Sequence, residues 1–444
     1  MSLTARFLML AMLIGVLAIS GIWLGGTWAQ AWLLPAGLLL ALLWLEHTLS
    51  QRYQFSLQRE LPSTVELGRS FTQRYRLNVT PARAFDIELA EAMPDALHLP
   101  DWQMPMRISD QSEASATLVF ERLYETVELA VLEFDALELR YLGVFGLCSW
   151  RRQLRAAARI RVVPQSLTQA ERKQFTRESG DVAQRRSGHG LELISHRDYQ
   201  PGDPNRSIDW KASAKNVNGD LKVRVMSQDQ NLEIAILLDV GRRSKLATGA
   251  MRRLDHHVNL ASRLTQAALG AGDTLHLLVY ADTRIKELTN LRGAVGIKSV
   301  HQSLAKLEPV AAIGDPVVAA LALLQRVPRR CLAVFMSDTE SPDAMQALLR
   351  ANALLRRKHL PLVVWLRDKA LAELASYQGA NQCKIDEPWQ APAQQLAALE
   401  ILQSESDLRR QLRGLGVVVV DAEPEQMDAK VLSAYSQIRK RKTV

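Results

Sequence analysis

From Phe7 to Leu45 the chain carries no Asp, Glu, Lys or Arg, and two apolar runs meet there at Gly25-Gly26-Thr27. Each run is roughly 17–18 residues, and at about 1.5 Å per residue it spans about 26 Å, close to a hydrocarbon core. The pattern predicts a transmembrane helical hairpin over residues 1–50. Trp23, Trp28 and Trp32 fall around the turn and Trp44 at the far end, where interfacial aromatic belts are expected. A cleaved secretory signal followed by a buried helix fits less well. Arg6 is the one basic residue at the start, no small-residue cleavage site is evident, and a second span follows at once. Arg6 precedes the pair, Arg52 and Arg59 follow it, and the turn has no basic residue. That asymmetry puts both flanks on the cytoplasmic side.

Beyond Leu45 the periodicity changes twice. Residues 51–165 alternate apolar and polar positions, as in Phe71–Thr80, Phe85–Leu89 and Val127–Phe134, with Pro, Gly, Asn and Asp between them. Short half-buried strands of this kind predict a small antiparallel β-sandwich, its end marked by Tyr141-Leu-Gly-Val-Phe-Gly-Leu147 and the basic Arg151, Arg152 and Arg155. Residues 166–230 are polar with weak periodicity and read as an extended linker. From 231 to 444, nearly continuous apolar runs at Leu232–Leu238, Thr274–Tyr280, Cys331–Met336, Leu362–Leu366 and Val417–Val420 look like strands covered on both faces. Helical spacing fills the gaps, with Met251, Leu254, Val258, Ala261, Leu264 and Ala268 on one face and another face over Ala344–Leu355. Strands alternating with helices predict an α/β doubly wound parallel sheet.

Composition narrows the function classes. With 444 residues and 48% hydrophobic content, two soluble domains beyond the hairpin are expected. Three widely spaced cysteines, Cys148, Cys331 and Cys383, give neither a disulfide framework nor zinc-ligand spacing. The net charge of +8 is spread over short clusters at Arg151-Arg152, Arg185-Arg186, Arg242-Arg243, Arg329-Arg330 and Arg439–Lys442. No aromatic-basic interleaving accompanies them, so no nucleic-acid partner is expected. A basic surface suits a protein held against anionic lipid.

Phosphate-cradling and dinucleotide loops, nucleophile elbows and zincin motifs are all missing. His256-His257 reads as a surface pair on a helix, and His189 and His196 near Asp198 and Asp203 have no metal-ligand spacing. Two acids stand where open α/β sheets bind ligands: Asp239 after the first strand and Asp338 after Met336-Ser337. They could share a hard cation or each cap the helix that follows.

The stretch Arg197-Asp-Tyr-Gln-Pro-Gly-Asp-Pro-Asn-Arg-Ser-Ile-Asp-Trp-Lys-Ala-Ser-Ala-Lys215 resembles the signature of the bacterial family called domain of unknown function 58. Its elements are Arg-x-Tyr, Pro-Gly-Asp, Arg-x-Ile and a Trp with a small-residue and basic ending. The resemblance implies a hairpin in the inner (cytoplasmic) membrane, a strand domain, the signature, and a von Willebrand factor A-like sheet facing the cytoplasm. It also implies an interaction protein, with no catalytic residues and no cofactor of its own. Its partners would be a MoxR-type AAA+ ATPase and an unknown client, in protein maturation or assembly. Within the signature, Arg197, Tyr199, Pro201, Gly202, Asp203, Arg206, Asp209 and Trp210 form either an internal clasp of guanidinium–carboxylate forks or a docking surface.

A von Willebrand A metal site offers Asp-x-Ser-x-Ser, a later Thr and a second Asp. Here Asp239 and Asp338 take the acid positions, while Gly241 and Arg243 occupy the hydroxyl positions and no Thr falls near Ile313–Pro316. The site is therefore expected to be degenerate, with Mg²⁺ disfavoured and Arg242 or, above all, Arg243 neutralising the acids. The alternatives are a metal-dependent hydrolase at the Asp239/Asp338 edge and a nonspecific binder of polyanions or lipid surfaces.

Overall fold

The computed structural model describes residues 2–24, 30, 32–80, 86–91, 96–98, 106–109, 117–173, 187–215, 220–227, 231–337, 342–376 and 391–441. Asp338, Trp28, Cys383, Arg185 and Arg186 lie outside the described residues. Two compact units divide the chain, Met1–Val163 and Pro164–Val444.

The first unit joins the apolar helices and a β-sandwich. Helices Ala5–Leu24 and Leu33–Gln51 are each long and apolar enough to cross a membrane, and few of their side chains are buried. One sheet of the sandwich orders Met106–Ser109, Asp86–Glu91, Val131–Leu142 and Cys148–Val163, with Ser2–Leu3 and Thr64–Glu66 also pairing with the last. The other orders Gln54–Glu60, Ser70–Thr80, Thr117–Thr126 and Leu97–His98. Alternate residues point inward, so Tyr75, Leu77 and Val79 of one sheet meet Leu137, Leu139 and Tyr141 of the other. Two expectations need correction. Val131–Leu142 starts four residues after the expected Val127, because Thr126 and Val127 turn against Arg69 and Ala96. The basic stretch taken as the end of the sandwich is a 16-residue strand, Cys148–Val163, whose Arg151, Arg155, Arg159 and Arg161 occupy outward positions while Arg152 is half-buried and donates to the Tyr53 carbonyl. Arg59 points inward, ion-paired with buried Glu91, which also accepts from the Tyr75 hydroxyl at 2.5 Å. Arg6 and Arg52 are the exposed charges flanking the helices.

The second unit contains a six-stranded sheet: β1 (Glu233–Asp239), β2 (Thr274–Tyr280), β3 (Arg284–Leu291), β4 (Leu332–Met336), β5 (Leu360–Leu366) and β6 (Val418–Ala422). Its order is β3-β2-β1-β4-β5-β6, all parallel except β3, which is antiparallel to β2. The connecting helices are α1 (Arg253–Gly270), α2 (Gly293–Leu304), α3 (Pro316–Arg326), α4 (Pro342–Leu355), α5 (Lys369–Ala375), α6 (Ala391–Gly414) and α7 (Pro424–Arg441). Ala235 and Leu237 bury one face of β1 against α3 and α4, with α6 beside them. Ile234, Ile236 and Leu238 bury the opposite face, with α1 against β1 and β2 and α7 against β5 and β6. Arg263 ties α1 to α7 through Asp428 at 2.7 Å. The segment expected as an extended linker is a paired ribbon instead: Ser187–Asp198 runs antiparallel to Lys222–Ser227.

Where β2, β4 and β5 begin, two histidines are buried, His276 in β2 and His359 before β5. Nδ1 of His359 lies 3.2 Å from the Cys331 backbone N–H, which donates to it. Burial first, then the charges of Lys358 and Arg330, brings the His359 imidazole down to about 4, and burial also lowers His276. A histidine whose folded pKa is depressed contributes its full stability above the unfolded value, near 6.5, and loses it as pH falls toward the folded value. We therefore expect urea midpoints to fall between about pH 6.5 and about pH 4.5. The His359→Gln variant, which keeps an acceptor for Cys331, should flatten that part of the profile. An unchanged profile in the variant would refute the assignment.

Candidate functional site

Order β3-β2-β1-β4 makes β1 the strand from which successive connections diverge to either side. The crevice beyond the carboxyl ends of β1 and β4 is therefore the switch point at which open sheets bind ligands. Asp239 ends β1 there and is 6% exposed. Its Oδ1 accepts from the Gly241 backbone N–H at 2.8 Å, and its Oδ2 accepts from the Ser337 hydroxyl, just past β4, at 2.9 Å. A carboxylate this buried needs such donors, because desolvation without them is costly.

The loop before α3 closes over the same carboxylate. Its backbone is pinned by Val310 N–H to the Val240 carbonyl and by Arg242 N–H to the Ala312 carbonyl, both at 2.7 Å. A Cβ on Gly314 would lie 2.3 Å from both carboxylate oxygens, so only glycine leaves room for them. Asp315 then caps α3, accepting from the Val317 N–H at 2.9 Å. Around this edge Ile313 is 68% exposed.

Of the two arginines expected to neutralise the acids, Arg242 has an exposed side chain and meets the site through its backbone. Arg243 is half-buried with Nη1 buried, on the helical turn Arg242–Lys245 just beyond Asp239. Ser244, one position past Arg243, is buried and donates to the Gly241 carbonyl at 2.7 Å. Among the described residues no group of three or more His, Cys, Asp or Glu side chains is placed to hold a metal. Gly314 and Ser337 are the two site residues the sequence reading passed over. Their contribution is spatial, since one offers an absent side chain and the other a hydroxyl from a neighbouring strand.

The signature lies at the tip of the ribbon. Arg197 grips Asp203 with both Nη atoms, at 2.7 and 2.5 Å, and Asp203 also accepts the Gln200 N–H across the Pro201-Gly202 turn. Gly202 has φ +108, a conformation glycine reaches without strain. The Arg197 fork and the Gln200 N–H hold the Asp203 carboxyl below the usual range. Asp209 caps the single helical turn Trp210–Ser213 through the N–H groups of Lys211 and Ala212. His196 contacts it at 3.0 Å, and the Ala212 N–H followed by His196 lowers its pKa. Asp198 pairs with Lys222 of the opposite strand at 2.5 Å. Ile208 is buried, Tyr199 is half-buried, and the Tyr199 N–H donates to the Leu221 carbonyl. Pro201, Gly202 and Arg206 are exposed, Trp210 is 66% exposed, and Arg206 makes no side-chain contact among the described residues. The surface histidine pair is corrected in part. His257 is fully buried at the start of α1, while His256 is half-buried and contacts the Thr248 carbonyl at 3.1 Å.

Residues 195–382 match the family model described as protein of unknown function DUF58. That stretch of the chain is a DUF58 region. Uncharacterized proteins from Mycobacterium bovis and from two strains of Mycobacterium tuberculosis are 29% identical over 189 residues, 42% of this chain. The match covers 58% of each relative. A solved structure, that of a point mutant of the SrpA adhesin from Streptococcus sanguinis, aligns with 31% of this chain and 85% of its own at 13% identity. Its TM-score of 0.16 carries no argument about the fold. The DUF58 match contains both places described above, the ribbon tip from Ser195 and the Asp239 edge.

Removing the Ser337 hydroxyl in Ser337→Ala should cost about 1–3 kcal/mol, the value of a hydrogen bond to a buried charge. Gly314→Ala should cost a similar or larger amount through overpacking. Denaturant unfolding of the full chain in detergent checks both, and a Gly314→Ala protein as stable as wild type would refute the packing.

Proposed function

We propose that this protein is a membrane-anchored interaction protein, an adaptor between a MoxR-type AAA+ ATPase and a client protein, rather than an enzyme. The observation that carries the reading is the division of labour at the ribbon tip. Arg197 with Asp203, His196 with Asp209 and Asp198 with Lys222 are engaged with one another or with the local backbone. Arg206 and Trp210 are left facing outward. A rigid turn presenting an exposed Trp and Arg is the composition of a binding hot spot. The clasp and the docking surface are thus two layers of one segment, with Arg197 in the first and Arg206 in the second.

The strand order β3-β2-β1-β4-β5-β6 with β3 antiparallel supports reading this sheet as von Willebrand factor A-like. In that reading Arg243 neutralises Asp239, and the edge binds protein rather than Mg²⁺. The apolar helices with Arg6 before and Arg52 after them support an inner-membrane anchor with the soluble parts in the cytoplasm.

The test uses full-length protein in detergent with a purified MoxR-type ATPase. Trp210→Ala and Arg206→Ala should each weaken binding by about tenfold or more, as hot-spot truncations do, with unfolding midpoints unchanged. Arg197→Ala should speed amide exchange at Gln200, whereas Arg206→Ala should not. Absence of ATPase binding by wild type would overturn the adaptor reading. Metal-dependent turnover lost in Asp239→Asn would favour a hydrolase, and steep salt-sensitive binding to any polyanion would favour a charge-driven binder.

A further inference from the structure

The segment Gly143–Cys148, which links two long strands of the sandwich, packs on the apolar helices rather than facing water. Leu147 and Cys148 are buried in one cluster with Leu39, and Phe7, Ala11, Ile14, Leu42 and Leu43 pack against it. The cluster draws on both helices. It reaches Ile14, roughly 14 Å along the first helix from its start, and Leu39, roughly 18 Å from the end of the second. Non-helical backbone at such depth is tolerated only where its polar groups are satisfied by protein.

Part of that demand is met by Glu46 and by Thr4, just before the first helix. Glu46, fully buried on the second helix, accepts the Leu147 N–H at 3.2 Å. The Thr4 hydroxyl donates to the Gly146 carbonyl at 2.6 Å and its N–H to the Leu147 carbonyl at 3.0 Å. Leu3 pairs with Cys148 as an added strand. A Cβ on Gly143 would collide with the Glu46 carboxylate, which packs directly against this turn. Beside this knot the aromatic ring of Phe145 is left 41% exposed, and Arg6 and Arg52 are exposed with no ion-pair partner among the described residues.

We propose that Gly143–Cys148 is a third membrane-seated element, a loop of the sandwich held between the helices by Glu46, with Phe145 contacting phospholipid at the acyl–headgroup boundary and Arg6 and Arg52 facing its phosphates. The hairpin and the sandwich then act as one rigid body on the bilayer, and the anchor fixes the orientation of the domain as well as its location. This inference rests on the helices spanning a membrane, not on any partner.

The test places a photoreactive phenylalanine analogue, one position at a time, in the full-length chain reconstituted into phospholipid vesicles. The positions are Ile19 on the first helix, Phe145, and Val131, an exposed residue about 30 Å further along a sandwich strand. Lipid adducts detected by mass are expected at Ile19 and Phe145 and not at Val131. Adducts at Ile19 without adducts at Phe145 would overturn the membrane-seated loop while leaving the hairpin intact, and their absence at both would overturn the hairpin as well. In a second measurement on the same vesicles, Glu46→Ala should raise amide exchange over residues 143–148 by roughly tenfold or more, and Glu46→Gln by less. Unchanged exchange in Glu46→Ala would remove the role given to that carboxylate.

Discussion

The second unit depends on the parallel register that places β1 between β2 and β4, with Asp239 opposite Tyr280 and Leu238 opposite Met336. Every residue from Ile234 to Asp239 is buried, so the last side chain of the strand leaves water whatever its chemistry. When that side chain is a carboxylate, the surroundings must supply donors, because the charge would otherwise be neutralised by protonation or the edge would open. The Gly241 N–H, the Ser337 hydroxyl and the close approach of the Gly314 backbone follow from that demand. The geometry at the switch point is thus a consequence of burying one charge.

The same logic operates in the first unit with a different solvent. Glu46 lies in a helix that reads as membrane-spanning and is fully buried, and here too a backbone N–H, that of Leu147, donates to the carboxylate. A carboxylate that faces protein donors rather than bulk water is how an acid is tolerated near hydrocarbon. The ribbon tip follows another rule. With few buried residues, Ile208 and Val223 among them, it is held by charge-assisted hydrogen bonds, whose geometry is directional. Such a segment keeps its shape without a core, and so can leave a tryptophan exposed.

How much of this was legible in the sequence followed from burial. Strands covered on both faces announce themselves as unbroken apolar runs, and all five such runs are strands of the sheet. β3 went unread because it is an edge strand whose Arg284–Leu291 residues are half or fully exposed and carry no apolar run. Cys148–Val163 was misread because its outward positions hold Arg151, Arg155, Arg159 and Arg161, so charge density masked the alternation. The Asp239 position was legible from the end of a strand, but Gly314 and Ser337 were not. They lie about 75 and 98 positions away in the chain and meet Asp239 only through the order of strands. His257 was taken for surface because the stretch Arg252–His257 is polar, yet Arg252 pairs with Asp255 at 2.7 Å and that compensation lets the first turn of α1 go inside.

The two buried acids and the exposed signature bear on function in opposite ways. A catalytic or metal-binding carboxylate needs a lone pair open to substrate, water or cation, with its protein hydrogen bonds arranged to orient it. Asp239 has one oxygen engaged by a strand-end amide and the other by a serine hydroxyl, with glycine backbone pressed against both. At the ribbon tip the expenditure runs the other way, since charged groups are consumed in building a turn whose outward residues are an aromatic ring and a guanidinium. Such surfaces gain affinity by burying Trp and Arg against a partner, and rigidity in the free state lowers the ordering cost of doing so. That contrast is the physical ground for the proposed role in recognition.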